Sequence, residues 1–182
     1  MLSLIQRNAQ ELRELHEAVH RTHRVRSLSK ENGAAWKQAC AAFHSSYDRL
    51  AFPGGLTRAY DLLKKPDAAI IEAAIAFLEA DPYFHRSGYV KADLLRAVSK
   101  FPLDRRQQTR LQRVIVDRIK GPTRREFRRY CNLAPHVTVP AFEQEVAELA
   151  NASDPVTARN ATWVLEALRR SVSESPKQLR QP

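Results

Sequence analysis

Residues 16–20 have the types and spacing for metal-assisted hydrolysis. His16-Glu17-Ala18-Val19-His20 places two imidazoles four residues apart. On a helix this puts both on one side, where they can grip one Zn²⁺, while the glutamate between them takes a proton from metal-bound water. His23 follows three residues later on roughly the same side. The surroundings point away from a hydrolase. Glu14 and Arg21 flank the motif. The nearby apolar stripe Ile5, Leu12, Val19 leaves His16 at its margin and His20 outside it. The chain also offers no strand on which a peptide substrate could be aligned. A solvated helix face carrying three histidines is the expected state, with a zinc hydrolase at His16 and His20 as the remote alternative.

The second candidate is a concentration of charge. Residues 104–129 hold ten Lys or Arg against three acids. Arg106, Arg110 and Arg113 follow i, i+4, i+7, one face of a helix; Arg105 is adjacent. Arg124 with Arg128, and Arg125 with Arg129, repeat i, i+4 on what reads as the next helix. Like charges at that spacing repel, so the arrangement costs stability unless an anion compensates. Arginine dominates here, and its planar fork suits carboxylate or phosphate. The whole chain carries a formal net charge of +10, which favours anionic partners. Aromatic residues do not interleave with the arginines, apart from Phe127 and Tyr130, which read as core. That argues against a stacking platform for single strands. An acidic protein is the expected partner, and nucleic acid held by its phosphates is the alternative.

Other chemistry is thin. The sequence shows no Gly-rich phosphate loop, no nucleophile elbow and no cysteine cluster, so no cofactor and no catalytic residue is expected. Cys40 and Cys131 sit in helical patterns without metal-ligand spacing and read as reduced thiols of a cytoplasmic protein. No apolar run is long enough to span a membrane. The first residues are charged too early for a signal peptide.

The elements that would position these residues are helices. Apolar residues make up 43% and charged residues 27% of 182, and glycine is scarce at five, which is the balance of a globular chain rich in helix formers. Residues 1–51 read as a long helical hairpin: one narrow stripe through Ile5, Leu12, Leu15 and Val19, then a face of Trp36, Ala39, Cys40, Phe43, Tyr47 and Leu50. Phe52-Pro53-Gly54-Gly55 is the strongest break, expected to separate the hairpin from residues 56–171. Residues 172–182 are polar, contain proline and are expected to form a flexible tail.

Residues 67–171 carry an internal repeat. Helices open near Asp67, Asp104 and Thr138, 37 and 34 residues apart. Each is followed by a second helix that a proline introduces: Asp81-Pro82, Gly121-Pro122 and Asp154-Pro155. Aspartate can cap a helix start, and proline fits its first turn because the missing N–H would have no partner there. Arg86 and Arg159 stand five residues after Asp81 and Asp154, placed to reach an aspartate of a neighbouring repeat. Over this span the chain resembles the HEAT-repeat family, whose second helices commonly open Asp-Pro-x-Val-Arg. Asp154-Pro155-Val156 with Arg159 matches best; the middle repeat has Gly121 and Glu126 at the two ladder positions. The resemblance implies an all-α fold of stacked antiparallel helix pairs, a right-handed α-solenoid, with Asp81, Arg86, Asp154 and Arg159 as a structural ladder. It also implies a binding surface rather than an enzyme.

Overall fold

The computed structural model describes residues 1–174, and side chains through residue 171. Among the described residues the secondary structure is helical, without strands. Two compact units form, Met1–Val90 and Lys91–Pro182.

The first unit contains α1 (Leu2–Val25), α2 (Lys30–Ala51), α3 (Leu56–Leu62), α4 (Ala68–Ala80) and the start of α5 (Ser87–Val98). The expected hairpin is there: α1 packs on α2, and the Ser29 hydroxyl opens α2 by accepting from the Asn32 N–H. It is not a separate body. The α1 stripe of Ile5, Ala9 and Leu12 is fully buried, and both α2 and α4 pack against this helix. Helix α4 is apolar on nearly every side, with Ile70, Ile71, Ala74, Ile75, Ala76, Phe77 and Leu78 buried, so it cannot be a surface helix. The Phe52–Gly55 break therefore lies inside the first unit. Phe52 is buried with its ring 5.3 Å from that of Phe77. Gly54 and Gly55 take φ of 84° and 95°, a region that favours glycine. Asp48 on α2 spans the turn by accepting from the backbone N–H and the hydroxyl of Thr57 in α3.

Polar side chains of the hairpin seal the end of α4 and the loop after it. Gln6 donates to the Ala80 carbonyl, Arg13 to the Tyr83 carbonyl at 2.7 Å, and Tyr47 to the His85 carbonyl at 3.0 Å. Such carbonyls have no partner within the helix, so distant side chains supply one. Asp81 corrects the repeat reading. It closes α4 in the left-handed conformation, φ 42°, instead of opening α5. The loop turns again at Arg86, φ 67°, and the Ser87 hydroxyl accepts from the Phe84 N–H. Pro82 thus follows a helix end, where proline stops propagation, and does not begin the next helix.

The second unit holds the rest of α5 with α6 (Arg105–Ile119), α7 (Phe127–Val137), α8 (Pro140–Leu149) and α9 (Pro155–Glu174). Residues 172–174 continue α9; the remainder of the expected tail, 175–182, lies outside the described residues. Asp104 and Gln107 form a reciprocal capping box at α6. At α9 the expected signature holds: Asp154 accepts from the N–H and hydroxyl of Thr157, with Pro155 in the first turn. Helix α6 packs on α7 and α8 on α9; α6 also meets α8, and α7 meets α9.

A buried amide ties three of these elements together. Asn160 of α9 is 0% exposed. Its Nδ2 donates to the carbonyls of Ile119 and Gly121, both at 3.1 Å, so it caps the end of α6. Its Oδ1 accepts from the Thr123 hydroxyl at 2.7 Å. Arg159 donates to that same hydroxyl at 2.9 Å, so the arginine of the repeat signature meets a threonine of the preceding loop. Asn160→Ala should leave two carbonyls and a hydroxyl without their partner inside the core, at about 3 kcal/mol. Urea unfolding should show a clearly lower midpoint than for Asn151→Ala, whose side chain is on the surface.

Candidate functional site

The structure divides the basic segment into parts with different surroundings. Arg105, Arg106 and Arg113 of α6 are exposed, and Arg110 is half-buried. Arg128 and Arg129 are exposed on α7. Arg124 and Arg125 are not on that helix, because α7 begins at Phe127; the i, i+4 relation expected for them does not form. The loop Gly121–Glu126 is held by Asn160 and Thr123, which keeps α7 from starting sooner.

Arg124 turns toward a buried charge cluster. Lys91 and Glu126 form an ion pair at 3.7 Å, with side chains 0% and 5% exposed. Burial lowers the Lys91 ammonium to about 8; Glu126 opposes that effect and Arg124 adds to it. Arg118, half-buried, is likewise lowered by burial and feels Tyr130, Arg124 and Glu126. Tyr130 is 1% exposed; burial raises its phenol above the ordinary value, and its hydroxyl makes no hydrogen bond among the described residues. This cluster belongs to the core of the second unit. Arg124 thereby leaves the set of outward-facing arginines.

Arg128 instead faces a recess between α7 and α9. Its volume is about 140 Å³, and Arg128, Cys131, Asn132, Trp163, Glu166 and Arg170 line it. On α9, Arg159, Trp163, Glu166 and Arg170 run i, i+4, i+7, i+11, one face of the helix. The Arg159 guanidinium lies 5.4 Å from the centre of the Trp163 ring, and Phe127 stands 6.2 Å from it, so the indole is braced by neighbours on two helices. Burial pushes the Cys131 thiol up to about 11, so at neutral pH it is protonated and a poor nucleophile. Arg170 and Trp163 were missed by the reading of the sequence, which followed the dense charge of residues 104–129. The available signal was the complement of α9's apolar face, but only packing shows that this face meets Arg128.

The histidines assemble differently from a chelate. His16 stacks on His85 of the loop after α4, with ring centroids 4.4 Å apart and planes at 28°. His20 meets His16 edge-on at 4.4 Å, and Phe43 of α2 lies 5.3 Å from His16. Burial, then the charges of His85 and His20, lower His16; burial, then Arg86 and His20, lower His85. Glu17 is exposed, and His23 lies edge-on to Trp36. Among the described residues no group of three or more His, Cys, Asp or Glu side chains is arranged to hold a metal ion.

No family model, curated protein or solved structure matches the chain.

The buried ion pair has a pH signature. The Lys91 ammonium is lower in the folded chain than its ordinary 10.5, so between about 8 and 10.5 the unfolded chain binds more protons there. The lysine's share of stability is therefore largest at high pH and is lost as pH falls through about 8. Glu126 limits that loss. Glu126→Gln should cost about 3 kcal/mol at neutral pH, because it leaves a buried cation beside Arg124. The cost should shrink at pH values above the lysine's folded pKa, where Lys91 is neutral in both proteins. Urea titrations of wild type and variant at both pH values check this; an equal cost at both would show that the cation is not the cause.

Proposed function

We propose that this chain is a non-enzymatic interaction module, a HEAT-like right-handed α-solenoid whose basic helical surface docks an acidic protein partner. The packing order in the second unit supports the solenoid reading. Helix α6 contacts α7, and α8 contacts α9; α6 also contacts α8 and α9, and α7 contacts α9, which is compatible with stacked helix pairs. Stacks of this kind serve as binding surfaces, an analogy of fold alone.

The observation that carries the docking reading is an exposed surplus of guanidinium groups. Arg105, Arg106, Arg113, Arg128 and Arg129 all face solvent. Of the three acids in the same segment, Asp104 caps α6 and Glu126 pairs with buried Lys91. Unlike charge from a partner would relieve the repulsion. None of the described helices is long and apolar enough to cross a membrane. The free cysteines, Cys40 and Cys131, fit a reducing cytoplasm. Nucleic acid held by its phosphates is the second reading, favoured by the same arginines.

Fluorescence anisotropy separates the two. A labelled oligo-glutamate peptide should bind at physiological salt, and the combined variant Arg106→Glu, Arg113→Glu, Arg128→Glu should weaken it by at least roughly tenfold, ~1.4 kcal/mol. Labelled duplex DNA, single-stranded DNA and RNA should show only the weak attraction that salt removes. Sub-micromolar nucleic-acid binding that survives physiological salt, with none to the peptide, would overturn the protein-docking reading.

A further inference from the structure

We infer that the free end of the α1–α2 hairpin docks on an anionic membrane surface, with Leu28 entering the acyl boundary and the basic side chains around it resting among the headgroups. This is a surface contact and not a span, since no described helix is long and apolar enough to cross. It goes beyond the protein-docking reading and does not depend on it. That reading uses arginines of the second unit, and this one uses residues 21–37 of the first.

Exposure sets the shape of the site. Gln6, Arg13 and His16 tie α1 to the end of α4 and the loop after it. Past these ties the hairpin projects: from His20 to Glu31 every residue except Thr22 is exposed. Leu28 stands in the turn and is 75% exposed, more than any other large apolar side chain among the described residues. Its N–H donates to the Val25 carbonyl at 3.0 Å, so Val25, also exposed, shares that turn. An exposed leucine by itself needs no explanation, and its surroundings decide what it is for. The end of a helical hairpin is convex. It offers no groove to a peptide, but it can enter a soft, flat surface.

Charge sets the partner. From His16 to Gln38 the chain carries Arg21, Arg24, Arg26, Lys30 and Lys37 against Glu17 and Glu31, a surplus of three positive charges. Arg21, Arg24, Lys30 and Lys37 are exposed, and among the described residues their side chains make no ion pair or hydrogen bond. Arg26 donates to the His23 carbonyl at 2.8 Å and lies 5.6 Å from the centre of the Trp36 ring, so it too meets no carboxylate there. Glu31 is engaged at the start of α2, where its own backbone N–H and the Ser29 hydroxyl hold its carboxyl below the usual range. Cations around an exposed leucine match an anionic bilayer. Headgroup phosphates and carboxylates take the charges, and the acyl chains take the leucine. Nucleic-acid phosphates would satisfy the same cations but would leave Leu28 and Val25 in water. Trp36 stiffens the hairpin behind its end, with His23 edge-on at 5.7 Å and Arg26 over its face, so little order has to be gained on docking.

The test floats the full chain, at physiological salt, with vesicles of phosphatidylcholine alone or of phosphatidylcholine mixed with phosphatidylserine. Trp163→Phe leaves Trp36 as the only indole, so energy transfer to dansyl-labelled headgroups reports contact near the hairpin end. The mixed vesicles should carry the protein and quench Trp36, and phosphatidylcholine alone should do neither. Leu28→Ser should weaken binding about tenfold, because the leucine's burial among the acyl chains is lost. Arg21→Gln, Arg24→Gln and Lys30→Gln combined should weaken it roughly a hundredfold. All four positions are exposed, so the circular dichroism should not change. Arg106→Gln, Arg113→Gln and Arg128→Gln combined remove the same charge from the second unit and should weaken binding far less. Equal losses from the two charge-removing variants would overturn the inference, since any anionic surface attracts a chain of net charge +10. Duplex DNA or RNA held by the hairpin cations more tightly than the mixed vesicles, with Leu28→Ser without effect, would overturn it in favour of a phosphate-backbone contact. No flotation with the mixed vesicles would overturn it outright, and would leave oligo-glutamate binding by the second unit untouched.

Discussion

Asn160 is the side chain on which the second unit is organised. Two carbonyls at the end of α6 need donors, and the seven residues 120–126 must be held in a fixed shape before α7 can begin. One amide meets both needs, by donating to Ile119 and Gly121 and accepting from Thr123. Because it is fully buried, no water is at hand to take over those bonds, and each unmade bond would carry its desolvation penalty. The position of α7 relative to α9 then follows, and with it the approach of Arg128 to Trp163, Glu166 and Arg170. A structural hydrogen bond thereby shapes the recess without touching it.

The buried ion pair works against stability as much as for it. Lys91 and Glu126 lose water on folding, and at 3.7 Å their attraction only partly offsets that cost. Arg118 and Arg124 add positive charge nearby, and Tyr130 brings a hydroxyl that makes no hydrogen bond among the described residues. Such an arrangement specifies which residues can share the core more than it strengthens it. It also explains how a segment so rich in arginine folds: part of the charge is turned inward and balanced by Glu126, and the rest is left to solvent.

The first unit shows a different economy. Its hairpin has a narrow apolar stripe, so α1 and α2 alone bury little beyond Ile5, Ala9, Leu12, Phe43, Leu50 and Ala51. Helix α4 supplies the missing apolar surface, and Gln6, Arg13 and Tyr47 secure the loop that follows it. The stacking of His16 on His85 belongs to this junction. Its cause is proximity between α1 and that loop.

The sequence by itself determined the helices. The periodicity of α4 and α6, the capping residues Asp67, Asp104 and Asp154, and the glycine turn at Gly54 and Gly55 are local signals, readable because helix start, stop and face depend on neighbours a few residues away. Local rules also misled where two outcomes share one signal. Asp81-Pro82 is as compatible with the end of a helix as with the start of one, and tertiary packing chose the end. Arg124 and Arg125 have helical spacing, yet the hold of Asn160 on their loop keeps them off α7. Which arginines face solvent, that Arg128 meets Arg170, and that His16 finds His85 depend on contacts between residues far apart in the sequence. No short-range pattern encodes such pairings, so only the tertiary structure decided them.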